Sequence, residues 1–249
     1  MVSLGMPISR REFLSSTGAG LAGFGAPSLY FSASAPWDLV IRGGTVFDGS
    51  GAPGRLADLA VRGGRIVAVA GVLRGRGAEE IDARGLAVSP GFIDIHSHGD
   101  GSLDTDPRAE SVIRQGVTTI VVGQDGSSRV PNRNGETTLG PWRRRLEALP
   151  AAVNVATMVG LGTVRRVVVG EDDRPATSSE LTKMVALVEA ALSSGACGVS
   201  TGLEYTPGAF ARQDELIALC RPLARRRLPY ATHMRNEGER IQEALQELF

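Results

Sequence analysis

The chain of 249 residues carries 27 basic and 27 acidic side chains, so its formal net charge at neutral pH is zero. This balance provides no electrostatic footprint for binding nucleic acid or an acidic surface. Apolar residues make up 42% of the chain, and the 32 glycines and 13 prolines predict many turns between apolar segments. The composition indicates a folded protein with a hydrophobic core, and we expect no nucleic-acid partner.

The first 35 residues have the features of a targeting segment. Two arginines at positions 10 and 11 precede Phe13-Leu14 and a weakly apolar stretch rich in glycine and alanine, which ends in Ala33-Ser34-Ala35. This arrangement resembles a twin-arginine export signal, so we expect a periplasmic or extracellular protein. The stretch is too short and too rich in glycine for a stable transmembrane helix, and we expect no membrane anchor. A disordered basic tail is the alternative interpretation.

Residues 36–86 contain short apolar runs separated by glycine pairs at positions 43–44 and 63–64. Runs of this length with Gly-Gly turns predict short β-strands joined by tight turns. We therefore expect a first domain that consists of a small antiparallel sheet.

Residues 87–249 alternate strand-like runs with stretches of helical periodicity, which is typical of repeated βα units. Thr177 and Glu180 have the spacing of a capping box at the start of one helix. Five units of about 33 residues fall in this segment, and a (β/α)8 barrel averages about 31 residues per unit. The sequence predicts an α/β protein with an incomplete barrel, about five of eight units, at the N-terminal end of a longer protein.

Cys197 and Cys220 are expected to be buried free thiols, with a disulfide as the alternative.

Active sites of such barrels lie at the carboxyl ends of the strands. The polar residues that we place at these ends are His96, His98, Asp125, Glu204 and His233. They include all three histidines of the chain. His96 and His98 are two positions apart, so both project from one face of their strand. Imidazoles and a carboxylate suit a zinc ion that activates water, and two surface histidines at a strand end are the alternative.

Several stretches resemble the amidohydrolase superfamily and, within it, the N-acyl-D-amino-acid deacylases, also called D-aminoacylases. These stretches are Asp38–Gly49, Pro90–His98, Gln115–Thr119, Gly198–Tyr205 and Thr232–Glu237. The resemblance implies a TIM-type barrel with a small N-terminal β-sandwich part. It also implies metal-dependent hydrolysis of a non-peptide C–N bond, with an N-acyl-D-amino acid as the small-molecule substrate and one or two divalent ions, expected to be zinc, as the cofactor.

Two alternatives to this activity stay open. One is a cyclic amidase of the dihydroorotase or hydantoinase type, which the segment Gly202–Tyr205, in place of a strand-four lysine, disfavours. The other is a truncated remnant without catalytic activity.

The resemblance further implies roles for individual residues. His96 and His98 are the metal pair of the first barrel strand, and His233 is the ligand of the fifth. Asp125 stands where family members often carry the metal-binding cysteine of Asn-Cys-Gly, and a carboxylate can replace that thiolate as the anionic ligand. Glu204, after the fourth strand, is the rival for this role.

Two more residues are candidates for substrate binding, namely Tyr205 and Arg235. Arg235 lies two positions after His233, and pairing with Glu237 is the alternative role for its guanidinium. The family's general base, an aspartate, is expected beyond Phe249. No residue of this chain is therefore assigned as catalytic. The sequence pattern does not indicate whether the protein is a monomer or an oligomer.

Overall fold

The computed structural model describes residues 36–248 of the chain. The predicted export signal, residues 1–35, lies outside the described residues. Within residues 36–248, no helix is long and apolar enough to cross a membrane. The chain divides into two compact units, of which one ends at Val88 and the other begins at Ser89.

The first unit is a single five-stranded sheet. Its strands are β1 (Trp37–Val46), β2 (Arg55–Arg62), β3 (Arg65–Ala70), β4 (Gly77–Asp82) and β5 (Ala87–Val88). Strands β1, β2 and β3 are antiparallel neighbours, whereas β4 and β5 both run parallel to β1. The prediction of an antiparallel sheet is therefore wrong in part. After β3 the chain crosses to the other side of β1, so β4 enters the sheet in the direction of β1.

This unit also differs from its predicted limits. Because β5 pairs with β1, residues 87 and 88 belong to the first unit and not to the barrel segment. In the part of the chain that the structure describes, the first unit has one layer, and the second layer of a β-sandwich stays a prediction.

Arg42 holds the crossing connection against the sheet. Its guanidinium donates hydrogen bonds to the carboxylates of Asp58, at 3.0 Å, and Glu80, at 2.8 Å, and to the Leu73 carbonyl, at 2.8 Å. The buried Asp58 carboxylate also accepts hydrogen bonds from the N–H groups of Leu73 and Gly43. The Leu73 N–H contributes most to lowering the pKa of Asp58, followed by Gly43 and Arg42, against the opposing effect of burial.

The second unit alternates strands and helices. Its strands are β6 (Phe92–Asp94), β7 (Val117–Val122), β8 (Asn154–Thr157), β9 (Val159–Gly160), β10 (Val199–Gly202) and β11 (Tyr230–His233). Its helices are α1 (Glu110–Ile113), α2 (Gly140–Glu147), α3 (Leu161–Val168), α4 (Ser178–Ser193), α5 (Gln213–Arg226) and α6 (Ile241–Leu248). The strands pair in parallel as β6-β7-β8 and β9-β10-β11, and only Met158 separates β8 from β9. The unit is thus α/β, with the strand and helix pattern of a partial barrel.

Helix α4 packs its apolar face into the core of this unit. Met184 and Val188 are fully buried, at 0% exposure. The predicted capping box is confirmed, because the Thr177 hydroxyl accepts from the Glu180 N–H and the Glu180 carboxylate accepts from the Thr177 N–H. The helix therefore begins where the sequence predicts it.

Gly160 and Gly162 lie at the start of helix α3, although glycines commonly indicate a turn. In the structure these glycines are needed for close packing instead. A Cβ on Gly160 would lie 2.4 Å from the Gly126 backbone, and one on Gly162 would lie 2.8 Å from the Gly126 carbonyl oxygen. Inside this helix, Arg165 is buried and forms an ion pair of 2.6 Å with Glu215, at the start of α5.

Strand β6 is more exposed than its apolar sequence predicts. The exposed fractions of Phe92, Ile93 and Ile95 are 60%, 63% and 74%. The reason is that β6 ends its sheet and pairs only with β7 among the described strands.

Both cysteines are free thiols, as predicted, but they are partly buried and not fully buried as expected. Burial raises the pKa of the Cys197 thiol, and it raises that of Cys220 to about 11. Cys220 lies on α5 beside the core.

Candidate metal centre

Two imidazoles converge on one carboxylate beyond the ends of β6 and β7. His96 Nε2 lies 3.1 Å from Asp125 Oδ2, and His98 Nε2 lies 3.0 Å from the same oxygen. The two rings are in an edge-to-face arrangement with centroids 5.4 Å apart. Both histidines are exposed, and Asp125 is partly buried. The structure thus brings three of the five predicted ligands together.

Local backbone structure directs these side chains to one point. Strand β6 ends at Asp94, whose carboxylate accepts a hydrogen bond from the His96 N–H at 3.1 Å. His96 and His98 therefore lie in the segment after the strand. The sequence had predicted that they lie on the strand itself. Asp125 lies in the loop after β7 and has a left-handed φ of 50°. Such a conformation is uncommon for a residue other than glycine and occurs frequently at functional sites.

The arrangement of donor atoms fits a divalent cation. All three ligand atoms lie within 4.8 Å of one another. Nitrogen or oxygen atoms bound at about 2.1 Å to a tetrahedral zinc ion lie about 3.4 Å apart, close to the separations seen here. Neutral imidazoles and an ionised carboxylate are also ligand types that zinc accepts.

The other two predicted ligands form a second cluster. His233 Nε2, at the end of β11, lies 2.9 Å from Glu204 Oε2 and 3.7 Å from Glu237 Oε1. The Tyr205 hydroxyl lies 3.4 Å from the same imidazole, with ring centroids 4.7 Å apart. Asp125 is therefore the carboxylate next to His96 and His98, whereas Glu204 is next to His233. Metal binding by either cluster stays a prediction.

A cavity of about 360 Å³ lies beside the first cluster and extends to Tyr205, next to the second cluster. His98 and Asp125 line it together with Tyr205, whose hydroxyl contacts the second cluster. Arg166 also lines the cavity and donates a hydrogen bond to the Thr206 carbonyl. Burial and the nearby carboxylates, that of Asp125 first, raise the pKa of the Tyr205 phenol, so this hydroxyl stays protonated and able to donate a hydrogen bond.

Arg235 makes contacts that the sequence did not predict. Its guanidinium donates two hydrogen bonds of 2.9 Å to Glu247 on α6 and two more to the carbonyls of Ala209 and Ala211. The alternative pairing with Glu237 is therefore wrong. Helix α6 brings Glu247 to the arginine from twelve positions away, a contact that sequence spacing does not indicate. The substrate-binding role of Arg235 stays a prediction.

Two buried polar residues beside the centre were missed. Gln124 is 1% exposed and donates a hydrogen bond to the Ile95 carbonyl, next to His96. Ser200 is 0% exposed, and its hydroxyl bonds to the backbone of Gly123 and Gly126, on either side of Asp125. Gln124 adjoins Asp125 in the sequence, but nothing local distinguishes it from a surface loop residue. Ser200 lies 75 positions after Asp125, and only the pairing of the strands brings the two together.

A sequence model described as "Amidohydrolase family" matches residues 79–246. The chain belongs to the amidohydrolase family. An N-acyl-D-aspartate deacylase of Alcaligenes xylosoxydans xylosoxydans is 44% identical over 232 residues, which are 86% of this chain and 47% of that relative. This likeness and the two structures below confirm the predicted D-aminoacylase branch. The chain spans about half the length of these relatives.

Two solved structures of this family are similar in fold to the chain. One is a D-aminoacylase with a binuclear metal centre, at a TM-score of 0.78 and 43% identity, covering 85% of this chain and 48% of that one. The other is the N-acyl-D-glutamate deacylase of Bordetella bronchiseptica in complex with zinc and a phosphonate mimic of the tetrahedral intermediate. Its TM-score is 0.80 at 36% identity, with 85% of this chain and 48% of that chain covered. The fold of this amidohydrolase is therefore a partial barrel of the family's type.

Proposed function

We propose that this amidohydrolase chain belongs to a metal-dependent enzyme that hydrolyses N-acyl-D-amino acids. The observation that carries the proposal is the convergence of the donor atoms of His96, His98 and Asp125. His98 and Asp125 also line a cavity together with Tyr205. The relatives named for N-acyl-D-aspartate and N-acyl-D-glutamate support the substrate class. The proposed metal is zinc, as one or two ions.

The chain's own residues have distinct parts in this proposal. His96, His98 and Asp125 hold the first ion, and His233 with Glu204 completes the set of ligands. A divalent ion bound there supplies Lewis-acid activation of the amide group. The Tyr205 hydroxyl is placed to donate a hydrogen bond to the substrate carboxylate, because it lines the same cavity and stays protonated.

Three further features belong to the same proposal. The barrel has eight βα units in the complete enzyme, of which residues 89–249 supply about five. The general base is an aspartate from a later unit, so proton transfer requires residues beyond those named here. Binding of substrate by Arg235 requires that its guanidinium release part of its contacts with Glu247 and the two carbonyls.

Hydrolysis assays on the complete enzyme that contains this chain, purified and loaded with zinc, test the activity. N-acetyl-D-aspartate, N-acetyl-D-glutamate and N-acetyl-D-leucine would be compared with their L enantiomers, with dihydroorotate and with a hydantoin. The proposal expects release of acetate from D substrates and loss of that release in His98→Asn. A preference for L substrates would refute the stereochemical part, and cleavage of cyclic amides alone would favour the cyclic amidase. Zinc binding without any hydrolysis would favour a remnant without catalytic activity.

We also propose that residues 1–35 export the protein through the twin-arginine route. The paired arginines at positions 10 and 11 support this proposal. Fusion of residues 1–35 to a reporter that is active only after export tests it, with a variant carrying lysine at both positions as the control. Equal export of the two fusions would refute the twin-arginine route.

A further inference from the structure

The loop that carries Asp125 has an unusual backbone. We call residues 123–126 the Asp125 loop. Gly123, Asp125 and Gly126 have φ angles of 77°, 50° and 73°, so three of its four residues are left-handed. A residue other than glycine is strained in this region, and the conformation persists only when its surroundings hold it. The position of the Asp125 carboxylate therefore depends on the contacts of this loop.

Ser200, on β10, connects the two ends of the Asp125 loop. Its hydroxyl donates a hydrogen bond of 2.6 Å to the Gly123 carbonyl and accepts one of 3.1 Å from the Gly126 N–H. The hydroxyl is fully buried, so water cannot readily replace either bond. Close packing on the same side adds to this restraint, because a Cβ on Gly202 would lie 2.3 Å from the Asp125 carbonyl oxygen.

Gln124 connects the same loop to the histidines. Its Nε2 donates hydrogen bonds to the carbonyls of Ile95, at 2.9 Å, and Val121, at 3.3 Å. Ile95 directly precedes His96, and the Val121 carbonyl also accepts the Ser97 N–H at 2.9 Å. The buried side chain of Gln124 thus joins the backbone next to Asp125 with the backbone on both sides of His96.

We propose that Ser200 and Gln124 are positioning residues that hold the Asp125 carboxylate against His96 and His98, and so set the affinity for a divalent cation. Neither side chain contacts the donor atoms themselves. Both act on the distances between Asp125 Oδ2 and the two imidazole nitrogens, which are 3.1 and 3.0 Å. The inference rests on the metal-binding part of the proposed function and not on the substrate.

Ser200→Ala tests the proposal, with Thr201→Val as the matched control. Both hydroxyls are buried on β10, but the Thr201 hydroxyl forms its hydrogen bonds with the hydroxyls of Tyr230 and Thr232 and not with the Asp125 loop. Zinc affinity of the full chain would be measured by competition with a chromophoric chelator. Removing an outer partner of a metal ligand typically weakens binding about 10- to 100-fold, which we expect for Ser200→Ala. Thr201→Val is expected to retain the parent affinity at a similar loss of thermal stability.

A second variant and a spectroscopic measurement complete the test. Gln124→Met removes both Gln124 hydrogen bonds at nearly constant side-chain volume. It is expected to weaken zinc binding about 10- to 100-fold as well. This variant keeps the proposal testable if Ser200→Ala does not fold. The visible spectrum of bound Co²⁺ is expected to change in both variants and not in Thr201→Val, because the carboxylate changes its position. Asp125→Asn serves as the reference for loss of the ligand.

The outcomes separate this inference from the proposed function. Parent-like zinc affinity in Ser200→Ala or in Gln124→Met would overturn the positioning role, as would an equal loss in Thr201→Val. Absence of zinc binding by the unsubstituted chain would overturn both proposals. Zinc binding that depends on Ser200, without hydrolysis of any N-acyl-D-amino acid by the complete enzyme, would support the positioning role and refute the proposed function.

Discussion

The buried ion pair between α3 and α5 provides the strongest prediction for stability. Arg165 and Glu215 have side chains that are 1% and 5% exposed, at a distance of 2.6 Å. The arginine also donates to the carbonyls of Asp172 and Arg174, so it cannot turn to solvent without losing several bonds. Glu215→Gln keeps the shape but leaves the guanidinium charge without a counterion. Breaking a buried pair in this way costs about 3–5 kcal/mol.

This loss is a large fraction of the free energy of unfolding of a domain, which is about 5–15 kcal/mol. Urea denaturation followed by circular dichroism measures it. Glu147→Gln is the control, because Glu147 pairs with Arg143 at 3.6 Å with both side chains 66% exposed, and exposed pairs contribute little. The double variant Arg165→Met with Glu215→Leu is expected to be more stable than Glu215→Gln, since no buried charge remains. A loss of less than about 1 kcal/mol in Glu215→Gln would refute the reasoning.

Three further predictions follow from local contacts. Thr177→Ala removes the N-cap of α4 and is expected to lower the free energy of unfolding by about 1 kcal/mol in urea titrations; an unchanged midpoint would contradict the capping role. The Cys220 thiol, whose pKa is raised to about 11, is expected to react with iodoacetamide about tenfold faster for each pH unit between 8 and 10. A plateau above pH 9, with Cys220→Ala as the blank, would contradict this value. The lowered pKa of Asp58 stabilises the fold above the unfolded-state pKa of about 3.9. That contribution is lost as the pH falls through the folded-state pKa, so acid denaturation curves of Asp58→Asn are expected to depend less on pH in this range.

Local sequence patterns were sufficient for several elements. The capping box at Thr177 and Glu180 is confirmed, because capping bonds form between residues three positions apart. The motifs around the histidine pair were enough to predict the family, which the comparisons confirm. Strand β6, by contrast, has an apolar sequence and is exposed, because exposure depends on which strands lie beside it.

Contacts between distant positions could not be predicted in the same way. The sequence does not show that Gly160 and Gly162, at the start of helix α3, pack against the Gly126 backbone. The parallel pairing of β4 with β1 depends on a chain crossing held by Arg42 and Asp58. Arg165 and Glu215 are separated by 50 positions, and each alone resembles an ordinary surface charge.

The sequence by itself determined which residues are available for a metal centre, since three histidines at strand ends are a local pattern. The tertiary structure alone decided how they are grouped. It places Asp125 with His96 and His98, and Glu204 with His233, because parallel strands bring together loops that are 27 to 29 positions apart. It also decided that Ser200 and Gln124 hold the Asp125 loop. Hydrogen bonds act over about 3 Å, and only the packed fold brings the atoms of distant residues that close.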